Sequence, residues 1–192
     1  MSTANSSVSV CSNALLMLGA QTINNFTENN DRARLAANLY PGARDALLRE
    51  HPWSCAVKRV VLSADKDKPE YGFSYRFTLP ADYIRVLSVG EANEDVEYLV
   101  EQRCILANRS SLKLRYVFQN TDVSTYDAVL VDLLELSMAA KMAYAITQST
   151  SMAQYRYQEF QAALKTAKAL NGLEYPAETF GQSSLLEGRL NG

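Results

Sequence analysis

The chain is poor in the residues that most catalytic and metal sites need. It has one histidine, His51, and three cysteines, Cys11, Cys55 and Cys104, among 192 residues. Any Ser–His or Cys–His nucleophile pair would have to use His51, and a two-histidine metal site is excluded. The cysteines are far apart and odd in number, which argues against a zinc site and against a disulfide framework. Reduced thiols in a protein made in a cytoplasm are the simple reading. Charge of one sign is also lacking: 19 Lys plus Arg face 21 Asp plus Glu, a net charge of −2. A dedicated nucleic-acid binder would carry a basic excess. A protein that surrounds DNA without gripping it would not. There is no glycine-rich phosphate loop and no Gly-x-Ser-x-Gly turn, nor any internal repeat.

Long apolar runs are missing too. Nothing approaches the roughly 20 residues of a membrane span. Residues 1–27 carry no charged side chain, yet they are rich in Ser, Asn and Thr. The run Ala14–Leu18 is too short for a signal peptide core and has no basic segment before it. With no secretion signal expected, the sequons at Asn5, Asn25 and Asn108 read as chance.

What is present suits a folded core. Apolar residues make up 47% and charged ones 21%, enough burial for one domain, or one domain with an arm. The patterning predicts a first helix from about Val8 to Leu18, capped by Ser6 or Ser7 and ended by Gly19. A second helix spans about Asn30 to Glu50. Its apolar stripe is Ala36, Leu39, Tyr40, Ala43, Ala46 and Leu47, while Arg32, Arg34, Arg44, Asp45 and Arg49 point elsewhere. Pro41 inside it predicts a kink or break, and Pro52 a stop.

The period then changes. Val57–Leu62, Phe73–Leu79, Ile84–Val89, Val96–Val100, Cys104–Leu106 and Leu112–Phe118 read as short strands separated by turn residues. Helical period returns after Ser124-x-x-Asp127, a capping-box pattern. The helix from about Thr125 to Thr147 is apolar on most sides. One row is Tyr126, Leu130, Leu133, Ser137, Ala140 and Tyr144; another is Val129, Leu136, Ala139, Ala143 and Ile146. Such a helix is buried on most sides. After a second capping pattern, Ser151-x-x-Gln154, a last helix to about residue 171 offers a seam of Ala153, Tyr157, Phe160, Leu164 and Ala167. Residues 173–192 contain Pro176, Gly181, Gly188 and Gly192, which break any helix. They nonetheless carry Tyr175, Phe180, Leu185, Leu186 and Leu190. The expected class is α+β: a helical bundle built from residues 1–56 and 123–172, a β region inserted at 57–122, and an extended arm at 173–192.

Individual residues admit two readings each. His51, at a helix end, has a favourable site for a cation near the helix dipole. A structural or surface role suits it better than catalysis, since no nucleophile motif accompanies it. Asp65-Lys66-Asp67-Lys68 lacks the glycine and closing glutamate of a calcium loop and reads as a solvated turn. Glu91, Glu94, Asp95 and Glu97 form either an exposed loop or a repulsive wall facing DNA in an oligomeric channel. Trp53 either plugs a core edge or joins a subunit contact.

At Arg44-Asp45-Ala46-Leu47-Leu48-Arg49-Glu50-His51-Pro52-Trp53 the chain resembles the head-to-tail adaptors of tailed bacteriophages, the tail tubular protein A or gatekeeper proteins of short-tailed phages. Asn13-Ala14-Leu15-Leu16-Met17-Leu18-Gly19, Leu39-Tyr40-Pro41 and Ala56-x-Lys58-Arg59 fit the same order. So do Tyr75-Arg76-Phe77-Thr78-Leu79-Pro80-x-Asp82-Tyr83 and the closing Ala-rich helices. The similarity covers about residues 8–172, and each piece is a packing pattern. The resemblance implies a virion structural protein without enzymatic activity or cofactor. It implies a dodecameric ring beneath the portal that extends the DNA channel and serves as platform for the tail nozzle. Its partners would be its own copies, the portal, later tail proteins and genomic DNA passing without sequence reading.

Within that resemblance, Tyr175, Phe180, Leu185, Leu186 and Leu190 are the expected docking anchors on portal or neighbouring adaptor. Val129, Leu136, Ala139 and Ala143 are candidates for subunit contacts, and Glu91, Glu94, Asp95 and Glu97 for the channel wall. Two other classes stay open: a neck or head-completion protein of a long-tailed phage, and a small enzyme using carboxylates such as Asp82, Asp127 and Glu135.

Overall fold

The computed structural model describes residues 6–91 and 94–174. The chain is α+β, with four α-helices and two small antiparallel sheets among the described residues. It divides into two compact units. The helical unit comprises the chain up to Ala56 together with Gln119–Asn171, and the β unit is Val57–Phe118. The helical unit therefore resumes at Gln119, earlier than residue 123. Asn120 explains the difference: its amide donates to the Cys55 carbonyl (2.7 Å) and to Thr125 Oγ1 (2.8 Å), and its own carbonyl accepts from the Tyr126 hydroxyl (2.6 Å).

The helices start where local chemistry satisfies their free amides. Helix α1 (Ser7–Met17) begins with Ser6 and Ser9 capping each other's backbone. Helix α2 (Asp31–Glu50) begins with Asn30 accepting from the Ala33 amide at 2.8 Å. Helix α3 (Ala128–Thr147) begins with Asp127 accepting from Leu130 N at 2.7 Å. Ser124 is thus no cap of α3. It lies in a short 3-10 turn, Val123–Thr125, held by Asp122. Helix α4 (Thr150–Glu174) likewise starts before Ser151: Ser149 Oγ accepts from Met152 N at 3.2 Å. It also runs through Gly172 to Glu174, so the first residues of the expected arm belong to a helix.

Helix α2 is continuous through Pro41. Pro41 and Gly42 lie on its exposed side, where solvent takes over from the missing backbone donor. Arg44 corrects the periodic reading, being 8% exposed rather than outward-facing. Its Nε donates to Asp45 Oδ1 at 2.8 Å, and Gln119 Nε2 holds the other Asp45 oxygen at 2.6 Å. Ala46, placed in the apolar stripe, is exposed instead.

Helix α3 is the spine of this unit and packs on both α1 and α2. Leu130, Leu133, Leu134, Met138, Ala139, Met142 and Ala143 are fully or almost fully buried along it. Leu164 and Ala167 bury the α4 seam. Tyr157 does not belong to that seam, being 58% exposed. Polar ties add to it: Arg156 donates to the Met17 carbonyl, and Lys168 pairs with Glu50 at 2.7 Å. Trp53 plugs the far end of α2, 1% exposed, with its indole N–H on the Leu47 carbonyl at 3.0 Å.

The β unit has the strands β1 (Val57–Ser63), β2 (Tyr75–Thr78), β3 (Tyr83–Val89), β4 (Tyr98–Glu101), β5 (Cys104–Ala107) and β6 (Ser111–Phe118). One sheet has the order β1-β6-β3 and the other β2-β5-β4, with all neighbours antiparallel. Phe77, Ile105 and Ala107 from the second sheet join Leu112, Leu114, Tyr116 and Val89 from the first in one apolar core. The Asp65–Lys68 segment is a turn whose first carboxylate has a structural task. Asp65 accepts from Arg76 Nε at 3.0 Å and from Thr78 Oγ1 at 2.9 Å.

The Arg44–Asp45 pair sets a testable contrast. Arg44 is buried but the Asp45 side chain is a third exposed, so removing Asp45 leaves a charge that water can reach in part. Asp45→Ala should therefore cost about 1.5–3 kcal/mol of unfolding free energy by urea titration, the range for a hydrogen bond to a charged group. Asp31→Ala, whose side chain is 95% exposed beside Arg34, should leave stability almost unchanged.

Candidate functional site

The described residues expected to act fall on different elements, helix α3 in the helical unit and the loop after β3 in the β unit. Helix α3 offers two of its four contact candidates to solvent. Val129 is 43% exposed and Leu136 is half-buried. Ala139 and Ala143 are 0% exposed. They have no atom to offer a second chain and belong to the interior of their own unit. The outward stripe is instead Val129, Leu136, Ala140 and Tyr144, the last 57% exposed. These residues recur at i, i+7, i+11 and i+15, a single line along a helix.

Behind that line sits a buried carboxylate. Glu135 is 8% exposed, and Asn13 Nδ2 on α1 donates to its Oε1 at 2.7 Å. Burial pushes its carboxyl up from the ordinary value, against the pull of the Asn13 bond, and nearby Asp132 adds to the rise. The other two carboxylates considered for catalysis have local tasks. Asp127 caps α3. Asp82 accepts from Lys58 Nζ at 2.7 Å and from the Tyr116 hydroxyl at 3.0 Å. Burial acts to raise its carboxyl, but those two bonds outweigh it and hold it below the usual range. Tyr116 is pushed up to about 12 by burial and by the same carboxylate.

The acidic loop after β3 is only half acidic in effect. Gly90 turns the chain at φ +89°, and a Cβ there would lie 2.7 Å from Val96 Cγ2. Its N–H bonds the Lys113 carbonyl at 2.8 Å. This brings Glu91 onto Lys113 and Glu94 onto Arg109 as ion pairs. Glu94 also accepts from the Glu91 amide at 3.0 Å, and this bond together with Arg109 holds its carboxyl low. Asp95 and Glu97 are exposed. Of the four channel candidates, these two keep an uncompensated charge among the described residues.

The five arm anchors, Tyr175, Phe180, Leu185, Leu186 and Leu190, lie outside the described residues. His51 closes α2 and stacks edge-on against Trp53, with ring centroids 4.9 Å apart. Among the described residues no three His, Cys, Asp or Glu side chains come together as a metal group. Burial pushes the Cys11 thiol up to about 12 and the Cys55 thiol to about 11. Both are therefore overwhelmingly protonated and poor nucleophiles at neutral pH. Among the described residues no helix is long and apolar enough to cross a membrane.

Two surfaces escaped the sequence reading. Strand β4 is exposed throughout, with Tyr98 at 39%, Leu99 at 45% and Val100 at 41%. The outer face of the β1-β6-β3 sheet carries Arg59, Val61, Lys113 and Arg115. Arg59 lies opposite Arg115, and Val61 opposite Lys113. Alternation along β6, with Leu112, Leu114 and Tyr116 inward, was the available signal for the second surface. A strand's position at a sheet edge leaves no mark in its own residues, so the first had none.

No protein-family model matches the chain, and no curated protein matches it in sequence.

Glu135 allows a pH test. A carboxyl raised by folding contributes stability that is present below its unfolded value and lost as pH rises through the folded one. Glu135→Gln removes that loss. The variant should melt a few degrees above the parent at pH 7, and the two curves should converge as pH falls through the carboxylate range.

Proposed function

We propose that this chain is a head-to-tail adaptor of a tailed bacteriophage, a virion structural protein that forms a ring beneath the portal. The observation that carries the reading is the order of its parts. Two helices, an inserted β unit and two closing helices follow one another as the resemblance implies, with the Arg44–Trp53 segment ending α2 at the entrance to the β unit. The ring would extend the DNA channel and present a platform to the tail nozzle. A ring requires a head-to-tail contact whose rotation closes, and the outward apolar line on α3 is one surface available for it.

DNA passage in such a ring needs a wall that does not hold the backbone. Each Lys or Arg set against phosphate adds a salt-dependent grip through counterion release. Asp95 and Glu97 are the acidic residues that would repel it. The terminal segment would dock on portal or on an adjoining adaptor, with Tyr175, Phe180, Leu185, Leu186 and Leu190 as separate anchors, since large apolar groups dominate contacts of this kind. The long-tailed neck protein is the neighbouring reading, with the same ring logic and other distal partners.

The test is addition of the purified chain to portal-bearing heads. The intact protein should bind them, and a chain ending at Glu174 should keep its helix content and melting temperature yet bind poorly. Equal occupancy by the shortened chain would refute the docking role of residues 175–192. Failure of the intact chain to bind any portal-bearing head would refute the adaptor reading.

A further inference from the structure

The β unit has one strand edge that nothing described blunts. A sheet edge offers a row of unpaired backbone N–H and C=O groups, and natural edges carry basic side chains, bulges or covering segments that stop another chain from pairing there. Three of the four edges have such a device. Strand β1 carries Lys58 and Arg59. Strand β3 has register shifts between Tyr83 and Arg85 and between Val86 and Ser88. Strand β2 is covered in part by Asp65, whose N–H bonds the Arg76 carbonyl at 2.8 Å and whose carboxylate accepts from the Thr78 N–H at 3.3 Å. Strand β4 pairs with β5 alone among the described residues and contains no lysine, proline or bulge.

The side chains of β4 sort by face. Tyr98 and Val100 lie opposite Ala107 and Ile105, both fully buried, so they point to the core side and are still about two-fifths exposed. Leu99 shares the other face with Glu97 and Glu101, which stand two residues to either side of it. Both acids are exposed and make no ion pair among the described residues. No Lys or Arg occurs from Glu91 to Gln102. An antiparallel strand along this edge would set its first, third and fifth residues opposite Glu101, Leu99 and Glu97, and its second and fourth opposite Val100 and Tyr98. Opposite charges facing each other across a strand pair attract, and like charges repel. A second copy of β4 centred on Leu99 would set Glu97 against Glu101 at both ends, so the edge discourages its own copies. A strand with Lys or Arg at both ends and three apolar residues between them satisfies all five positions.

We propose that the β4 edge takes an extended segment of a different protein as an added antiparallel strand, with cations opposite Glu97 and Glu101 and apolar residues between them. In this mode of recognition the main-chain hydrogen bonds give affinity and the alternate side chains give selectivity. The edge can hold such a strand whether or not the chain is an adaptor. An occupied edge takes Glu97 out of the channel wall and leaves Asp95 there.

The test uses the full chain and a fluorescent peptide with the core Lys-Val-Leu-Val-Lys, read by anisotropy, with amide hydrogen exchange to locate the site. The peptide should bind and slow exchange within residues 98–101. The same peptide with Glu at both ends should bind about tenfold more weakly, since two attractive pairs become repulsive. The double variant Glu97→Lys/Glu101→Lys should reverse that preference. Leu99→Lys, a change of the kind that blunts natural edges, should weaken binding while melting like the parent. Equal binding of the two peptides, or binding that adds no protection at 98–101, would overturn the proposal and leave the adaptor reading standing. No binding of either peptide would overturn it as well, an edge already filled by residues 175–192 included. So would self-association of the parent that Leu99→Lys abolishes, because a second copy would then be the occupant.

Discussion

Helix α3 is the constraint on which the helical unit depends. It is apolar around most of its circumference, and such a helix is unstable unless other elements cover it. Helices α1 and α2 supply that cover, with Ala14, Leu15, Ala36, Ala43 and Leu47 buried on them. Small residues at several of these positions let the helices approach closely. The order of the chain follows from this need: helices before and after the β insertion must meet for either half to be buried. Asn120, Trp53 and the Arg44–Asp45–Gln119 group lie where the chain leaves the helical unit and returns to it. Their bonds all lie within the helical unit and anchor those two points with directional contacts rather than with apolar area alone.

The β unit answers a different constraint. A small two-sheet core can cover the inner faces of its strands, but six short strands cannot close on themselves. Something must remain at the edge, and β4 remains there with apolar residues on both faces. The same unit carries its charges in local pairs, Lys58 with Asp82, Lys113 with Glu91 and Arg109 with Glu94. Exposed pairs of this kind add little stability. Their effect is to fix loop geometry and to reduce the acidity that the loop after β3 would otherwise present.

Much of the fold was legible because its signals are periodic. All six strands and all four helices fall within a few residues of where alternation and helical spacing place them. The misses share a cause. Arg44 reads as outward because it is charged, yet Asp45, itself held by Gln119, gives its guanidinium a partner. Ala139 and Ala143 read as a contact row because spacing shows only that residues share a face, not which neighbour covers it. Ser124 and Ser151 read as caps because their spacing fits, whereas Asp127 and Ser149 hold those positions. The exposure of β4 is a property of sheet order, which no local pattern encodes. The acidic loop was visible as composition, but its pairing with Lys113 and Arg109 depends on the Gly90 turn and on β6 arriving beside it.

A head-to-tail adaptor would hold a fixed place in the phage particle, and imaging shows whether this chain occupies it. A reconstruction of the phage neck at side-chain resolution should show copies of this chain in a closed ring directly beneath the portal, with residues 175–192 in contact with portal or an adjoining copy. A neck whose ring is built from another protein, with this chain absent from the head-to-tail junction, would contradict it.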